Sequence, residues 1–273
     1  LTLVLGLGES GRAMARWLAR QGVALRVADS RDTPPGVDRL RAEAATAEIV
    51  TGPFADSLLD GVVRLAISPG LDPRQPLVQA ARARGIPVIG EMDLFAQALL
   101  DLDVRDSTRL IAITGTNGKT TTTTLVGEML RGTGLDGVVA GNISPATLDV
   151  IMARQDAGEP MPQAWALELS SFQLETGPAL GAASATVLNV TDDHLDRYTG
   201  LDDYAATKAA VFAGQGVQVL NRDDARVMAM ALSGRKVFTF GLDAPARPDD
   251  FGVLDVDGTE WLARGSELLL ERS

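Results

Sequence analysis

Cysteine is absent from the 273 residues, which excludes disulfides, thiolate chemistry and cysteine-based zinc sites and fits a cytoplasmic chain. Basic residues are in deficit: 25 Lys and Arg stand against 36 Asp and Glu, a net charge of −11. Nucleic acid and anionic membranes are therefore not expected partners. No apolar run reaches about 18 residues and no signal peptide is visible, so no membrane insertion is expected. An initiator methionine is missing too. Leu1 opens directly into an apolar run, as in a trimmed chain. What is present suffices for two ordinary domains: 45% hydrophobic residues can fill real cores, and nothing in the composition suggests disorder. A polyphosphate bound despite the charge has to rely on local N–H groups and on metal ions. The surplus carboxylates fit metal binding, although most are solvated surface.

Residues 109–131, RLIAITGTNGKTTTTTLVGEMLR, organise the chain. An apolar strand (110–113) runs into a tight loop (115–118), then into Lys119 and five threonines that open a periodic helix. Glycines let backbone N–H groups approach an anion, and a helix N-terminus adds partial positive charge. The lysine reaches outer phosphates and a threonine hydroxyl ligates Mg²⁺. The spacing departs from G-x-x-x-x-G-K-[ST], because Ile113 stands where the first glycine belongs. A phosphate site is expected over Gly115, Thr116, Asn117, Gly118, Lys119, Thr120 and Thr121; an ordinary strand-to-helix turn is the alternative.

Upstream, an apolar run (1–5) meets GLGESG at 6–11, a helix at about 12–20 and a second strand (24–28) ending in Asp29. This is the G-x-G-x-x-G fingerprint in the context it requires, with an acidic residue closing the next strand. Only about three further βα units follow, with strands near 65–67 and 88–89, too few for a complete dinucleotide fold. Asp29, Ser30 and Arg31 could grip a base or an anion instead of a ribose; a merely structural glycine turn is the bland alternative. Ser68-Pro69-Gly70 marks another strand end, where ligands of open α/β sheets gather. A helix over 91–100 closes this domain, with a boundary near 104.

Downstream, continuous apolar runs at 110–113, 137–140, 164–169, 185–190, 217–220 and 237–240 read as strands of a mainly parallel sheet buried on both faces. Polar groups follow at their ends: the phosphate loop, Gly141-Asn142, Ser170-Ser171, Thr191-Asp192-Asp193-His194 and Asn221. Beyond about 252 the pattern alternates around Asp257-Gly258, a hairpin signal. The expected fold class is thus α/β. A Rossmann-like N-terminal domain (1–104) is expected to precede a larger P-loop-type domain with a mainly parallel sheet (105–273).

Three residues stand out here. Glu168 interrupts an apolar strand, where a carboxylate is costly unless a cation or donor meets it; contact with water at the sheet's end is the bland reading. His194, the chain's only histidine, follows two aspartates at a strand end, which favours a ligand role over a structural one. Lys208, among alanines in a helix expected over 201–212, reads by itself as a surface lysine.

Together, GLGESG at 6–11, DSRDTPPG at 29–36, SPG at 68–70, TGTNGKTT at 114–121, GNI at 141–143, ELSSFQLE at 168–175 and NVTDDHLDRY at 189–198 resemble the Mur ligase family over nearly the whole chain. ELSSFQLE discriminates most, and points to the branch that adds D-glutamate. The resemblance implies a monomeric, ATP- and Mg²⁺-dependent ligase of peptidoglycan precursor synthesis. It would join D-glutamate to UDP-N-acetylmuramoyl-L-alanine through an acyl phosphate. It further implies that Lys119 neutralises the transferring phosphoryl group and that Thr120 and Glu168 hold one Mg²⁺. His194 and a carbamylated Lys208 would hold a second metal. Gly8, Ser10, Asp29, Ser30, Arg31, Ser68 and Gly70 would hold the UDP part, with Glu9 turned away; Asn142, Ser170 and Gln173 would contact the diphosphate, sugar or acyl arm. A C-terminal third domain of the family is expected to be absent from this chain, so that it would bind UDP-substrate weakly and not turn over. Residues 155–162 read as a surface-loop insertion. The folylpolyglutamate synthase branch, a nicotinamide-dependent dehydrogenase and a noncatalytic nucleotide-binding module remain alternatives.

Overall fold

The computed structural model describes residues 1–177, 180–193 and 196–272. By their internal contacts these residues form two compact units. The first comprises Leu1–Thr108, Ala140–Gln163 and a short stretch beginning at Phe172. The second comprises Arg109–Val139, Ala164–Ser171 and the described residues from 180 onward.

The first unit begins with β1 (Thr2–Leu5), α1 (Glu9–Arg20), β2 (Leu25–Asp29), α2 (Val37–Glu43) and β3 (Glu48–Thr51). It continues through β4 (Arg64–Ile67), α3 (Pro76–Ala83), β5 (Val88–Ile89) and α4 (Glu91–Asp101). The five strands form one sheet in the order β3-β2-β1-β4-β5, all parallel. Sequence reading misses β3, an edge strand whose ends are exposed and whose middle is half-buried, so it carries no apolar run. The strand order reverses direction at β1, and the glycine loop follows β1. That reversal is where open sheets leave a ligand crevice.

The second unit holds β6 (Arg109–Thr114), α5 (Lys119–Gly132), β7 (Gly137–Gly141), β8 (Ala164–Glu168), β9 (Ser184–Val187), β10 (Val217–Asn221) and β11 (Val237–Phe240), strands in the order β11-β10-β9-β6-β8-β7. β7 runs across the division, and α6 (Thr147–Ala157) after it belongs to the first unit. Here the reversal falls at β6, flanked by β8 and β9, and the phosphate loop follows β6. The six expected strands are all present, and the inner ones are buried on both faces: Ala164, Trp165, Ala166 and Leu167 of β8 are each 0% exposed. Each large apolar side chain so placed contributes about 1.5–3 kcal/mol, which is why the runs are continuous.

After β8 come α7 (Ser171–Thr176), α8 (Leu201–Ala209) and α9 (Ala225–Met228). The helix expected over 201–212 ends earlier, passing into a 3₁₀ turn over Ala210–Phe212. The hairpin signal is realised as an antiparallel sheet of β12 (Phe251–Val256), β13 (Thr259–Arg264) and β14 (Glu267–Glu271). Asp257 and Gly258 take φ of 54° and 81° at its first turn, as a two-residue hairpin connection demands. The expected surface loop at 155–162 is only partly one. Residues 155–157 form the last turn of α6, and Pro162 is buried, its carbonyl accepting from Thr108 Oγ1 at 2.7 Å.

Candidate functional site

In the first unit, Gly6, Leu7, Gly8, Asp29, Ser30, Arg31, Ser68, Gly70 and Leu71 line a cavity of about 240 Å³. Six of the sequence-selected residues thus meet there: Gly8, Asp29, Ser30, Arg31, Ser68 and Gly70. Gly11 shapes this wall by close approach. A Cβ on it would lie 1.8 Å from the carbonyl oxygen of Gly6, so only hydrogen lets α1 start against the loop.

Asp29 is buried, and both its oxygens are occupied. Oδ2 accepts from Leu7 N at 2.7 Å and from Arg31 Nη2 at 2.7 Å; Oδ1 accepts from Arg31 N at 3.0 Å and Nε at 2.8 Å. The Arg31 side chain foremost, with the two backbone donors, holds the carboxyl at about 2. Asp29 therefore braces the glycine loop and presents Arg31. Because its folded pKa lies below the unfolded 3.8, its stabilisation is present above about pH 4 and is lost as pH falls through 2. Between pH 4 and 2, the melting temperature of the wild-type chain is expected to fall more steeply than that of Asp29→Asn, as followed by circular dichroism. Parallel curves would refute this.

Ser10 lies in the first turn of α1 beside this cavity's loop. Glu9, expected to turn away from the ligand, accepts from Ser144 Oγ at 2.7 Å. Glu91, which sequence reading passed over, is 2% exposed; its Oε1 accepts from Thr147 N at 3.0 Å and Oγ1 at 2.9 Å, capping α6. Burial pushes its carboxyl up, against the Ser10 and Thr147 hydrogen bonds. Asn142, exposed, and Gln173, buried, belong to the same unit, whereas Ser170 groups with the second.

In the second unit the loop between β6 and α5 has the strained geometry a phosphate cradle needs. Gly115 takes φ 153° and Gly118 φ 80°. Lys119 curls back, Nζ donating to Gly115 O at 3.0 Å and Thr116 O at 2.9 Å. Lys208 Nζ donates to the same Gly115 O at 3.0 Å. Lys208 is 1% exposed, so its reading as a surface lysine does not hold. Its ammonium lies 4.3 Å from the Tyr204 ring centre. Burial, then the Lys119 charge, bring Lys208 down to about 7, with Asp193 opposing. Thr120 and Thr121 are exposed at the start of α5.

Glu168 ends β8 in register with Ile113 and is 2% exposed, which rules out the solvent-contact reading. The loop thus starts beside a buried carboxylate. His194 lies outside the described residues. Among the described residues no group of three or more His, Cys, Asp or Glu side chains gathers. The Glu168 carboxylate and the Thr120 hydroxyl are hard oxygen donors of the kind that fit Mg²⁺, which keeps several waters in its shell.

Residues 113–262 match the Mur ligase middle domain, and residues 1–90 match the Mur ligase MurD-like N-terminal domain. The chain belongs to the Mur ligase family. It is 63% identical over 268 residues to a UDP-N-acetylmuramoylalanine–D-glutamate ligase of Aromatoleum aromaticum, across 98% of this chain and 58% of that protein. It is 51% identical to the ligase of the same name from Nitrosospira multiformis, covering 98% and 57%. This Mur ligase chain therefore spans somewhat more than half the length of those relatives. Among solved structures, UDP-N-acetylmuramate:L-alanyl-gamma-D-glutamyl-meso-diaminopimelate ligase from Neisseria meningitides aligns with a TM-score of 0.61 at 18% identity, covering 98% of this chain and 85% of that one, a likeness of fold. Among the described residues of this Mur ligase chain, no helix is long and apolar enough to cross a membrane.

Proposed function

We propose that the chain carries the nucleotide-handling part of an ATP-dependent amide ligase that adds D-glutamate to UDP-N-acetylmuramoyl-L-alanine in peptidoglycan precursor synthesis. Residues 1–104 serve the UDP part of the substrate, and the phosphate loop and its surroundings within residues 105–273 serve ATP. The observation that carries the reading is the meeting of two lysine ammoniums, Lys119 and Lys208, on the phosphate-loop carbonyl of Gly115. A dehydrogenase reading leaves that arrangement unexplained. The 63% identical relative supports the substrate choice.

In this reading the substrate carboxylate attacks the γ-phosphorus of ATP and ADP leaves. The D-glutamate amine then attacks the acyl carbon and phosphate departs. Gly115, Thr116, Asn117, Gly118, Lys119, Thr120 and Thr121 hold the polyphosphate. Lys119 moves from its loop carbonyls onto the phosphoryl group in flight, where positioning and charge supply most of the catalysis. Thr120 and Glu168 would hold Mg²⁺, which would offset charge on the phosphate oxygens. His194 and a carbamylated Lys208 would hold a second ion; a lysine brought down to about 7 has the neutral amine that carbamylation requires. Gly8, Ser10, Asp29, Ser30, Arg31, Ser68 and Gly70 form the uridine diphosphate site, and Asn142, Ser170 and Gln173 serve the acyl arm. Both Asp29 oxygens are occupied, which disfavours the ribose contact an NAD enzyme makes at this position.

Thermal-shift titration of the chain separates the readings. UDP is expected to raise the melting temperature by several degrees at 100 Kd, and NAD to leave it unchanged. Stabilisation by NAD alone would replace the ligase reading with the dehydrogenase one.

A further inference from the structure

The phosphate loop is gripped from outside by a side chain to which the proposed chemistry gives no role. Asn189 lies two residues beyond the end of β9. Its Oδ1 accepts from Asn117 N at 2.8 Å and its Nδ2 donates to Asn117 O at 3.1 Å. One planar amide thus satisfies both backbone groups of a single loop residue, as a neighbouring strand would. The Asn189 carbonyl accepts from Thr116 N at 2.9 Å, extending the match by one residue. Thr191 completes the grip: its N–H donates to Thr116 Oγ1 at 3.1 Å, and Asn117 Nδ2 donates to its hydroxyl at 3.3 Å.

This pattern sorts the loop amides into two sets. Those of Thr116 and Asn117 are spent on Asn189. The first α5 amide with a helical acceptor is Thr122 N, bonded to Gly118 O at 3.0 Å. The amides of residues 118–121 lie between, at a helix start where backbone N–H groups have no acceptor within the helix. Without a clamp, a glycine-bearing loop with positive φ at Gly115 and Gly118 would sample many shapes, and ordering it would subtract from binding.

We propose that Asn189 is a positioning residue: its amide locks Asn117 so that the amides of residues 118–121 face a nucleoside polyphosphate before it arrives. The proposal rests on the ATP reading above. It requires an amide at 189, since only that group accepts and donates in one plane at this length. Asn189→Asp keeps the size and the acceptor but sets a carboxylate oxygen against the Asn117 carbonyl.

The test uses the 273-residue chain with Mg·ATP and, as an internal reference, UDP, both by isothermal titration calorimetry. Asn189→Ala is expected to bind Mg·ATP about tenfold more weakly, the loss of two neutral hydrogen bonds that act through the loop. Asn189→Asp is expected to be weaker still, and both should keep wild-type affinity for UDP. Hydrogen exchange of the Asn117 amide should be slow in the wild type and fast in both variants. Unchanged Mg·ATP affinity in the near-isosteric Asn189→Asp, with wild-type binding intact, overturns the clamp alone. Equal weakening toward UDP and Mg·ATP also overturns it, because it would show a general loss of fold. Absence of Mg·ATP binding in the wild type overturns the ATP reading, and the clamp with it.

Discussion

Lys119→Ala is expected to weaken Mg·ATP binding by this chain about 100-fold, while leaving UDP affinity within about twofold. Hydrogen bonds to charged groups are worth roughly 1.5–3 kcal/mol each, and the lysine is placed to make one or two with the outer phosphates. In the free loop its Nζ rests on the carbonyls of Gly115 and Thr116, neutral partners that phosphate oxygens would replace. Lys119→Arg keeps the charge but carries a longer, planar head, and should recover only part of the affinity. Calorimetric titration of the three proteins decides the matter. Wild-type affinity in Lys119→Ala would mean that the loop does not hold a triphosphate.

Gly11→Ala should act on the other nucleotide, and on the fold. Its methyl group would enter at 1.8 Å from the Gly6 carbonyl oxygen and 2.8 Å from its carbon, so the backbone of the loop has to move. Forcing an extra carbon into a packed site costs about 1–3 kcal/mol, and more where the obstacle is main chain. The melting temperature is expected to drop by about 4–10 °C. The stabilisation by UDP should disappear, because Gly6, Leu7 and Gly8 form part of the cavity wall. Mg·ATP binding should survive in protein that remains folded. A variant with unaltered melting and an unaltered UDP response would show that the glycine loop takes no part in the site.

Both sites were visible in the sequence because each sits where an apolar strand stops. Continuous runs fix buried parallel strands, and the polar residue just past each run is thereby assigned to the sheet's carboxyl edge. Glu168 was conspicuous for that reason, and its burial agrees with the expectation of a carboxylate that needs a partner. Lys208 was opaque. Its environment comes from Gly115 and Tyr204, distant or unremarkable in sequence, and nothing in an alanine-rich helix announces a buried cation. Asn189 stands in the NVTDDHLDRY stretch with no chemistry to mark it, since its work is done on Asn117, 72 residues away. β3 was missed because an edge strand with exposed ends lacks the period on which strand reading depends.

Residues 140–163 return to the first unit after the chain has begun the second. There α6 lies against α1 and α4, with Leu148 and Ile151 wholly buried and Arg16 bonded to Asp149 at 3.1 Å. The apolar burial outweighs the ion pairs, since an exposed pair such as Arg20–Asp156 is screened by solvent. A gene cut after codon 108 would therefore encode a lobe stripped of its own covering helix, inclined to aggregate. Shuffling between homologous genes meets the same constraint: a crossover between codons 108 and 140 would pair a lobe from one parent with a covering helix from the other.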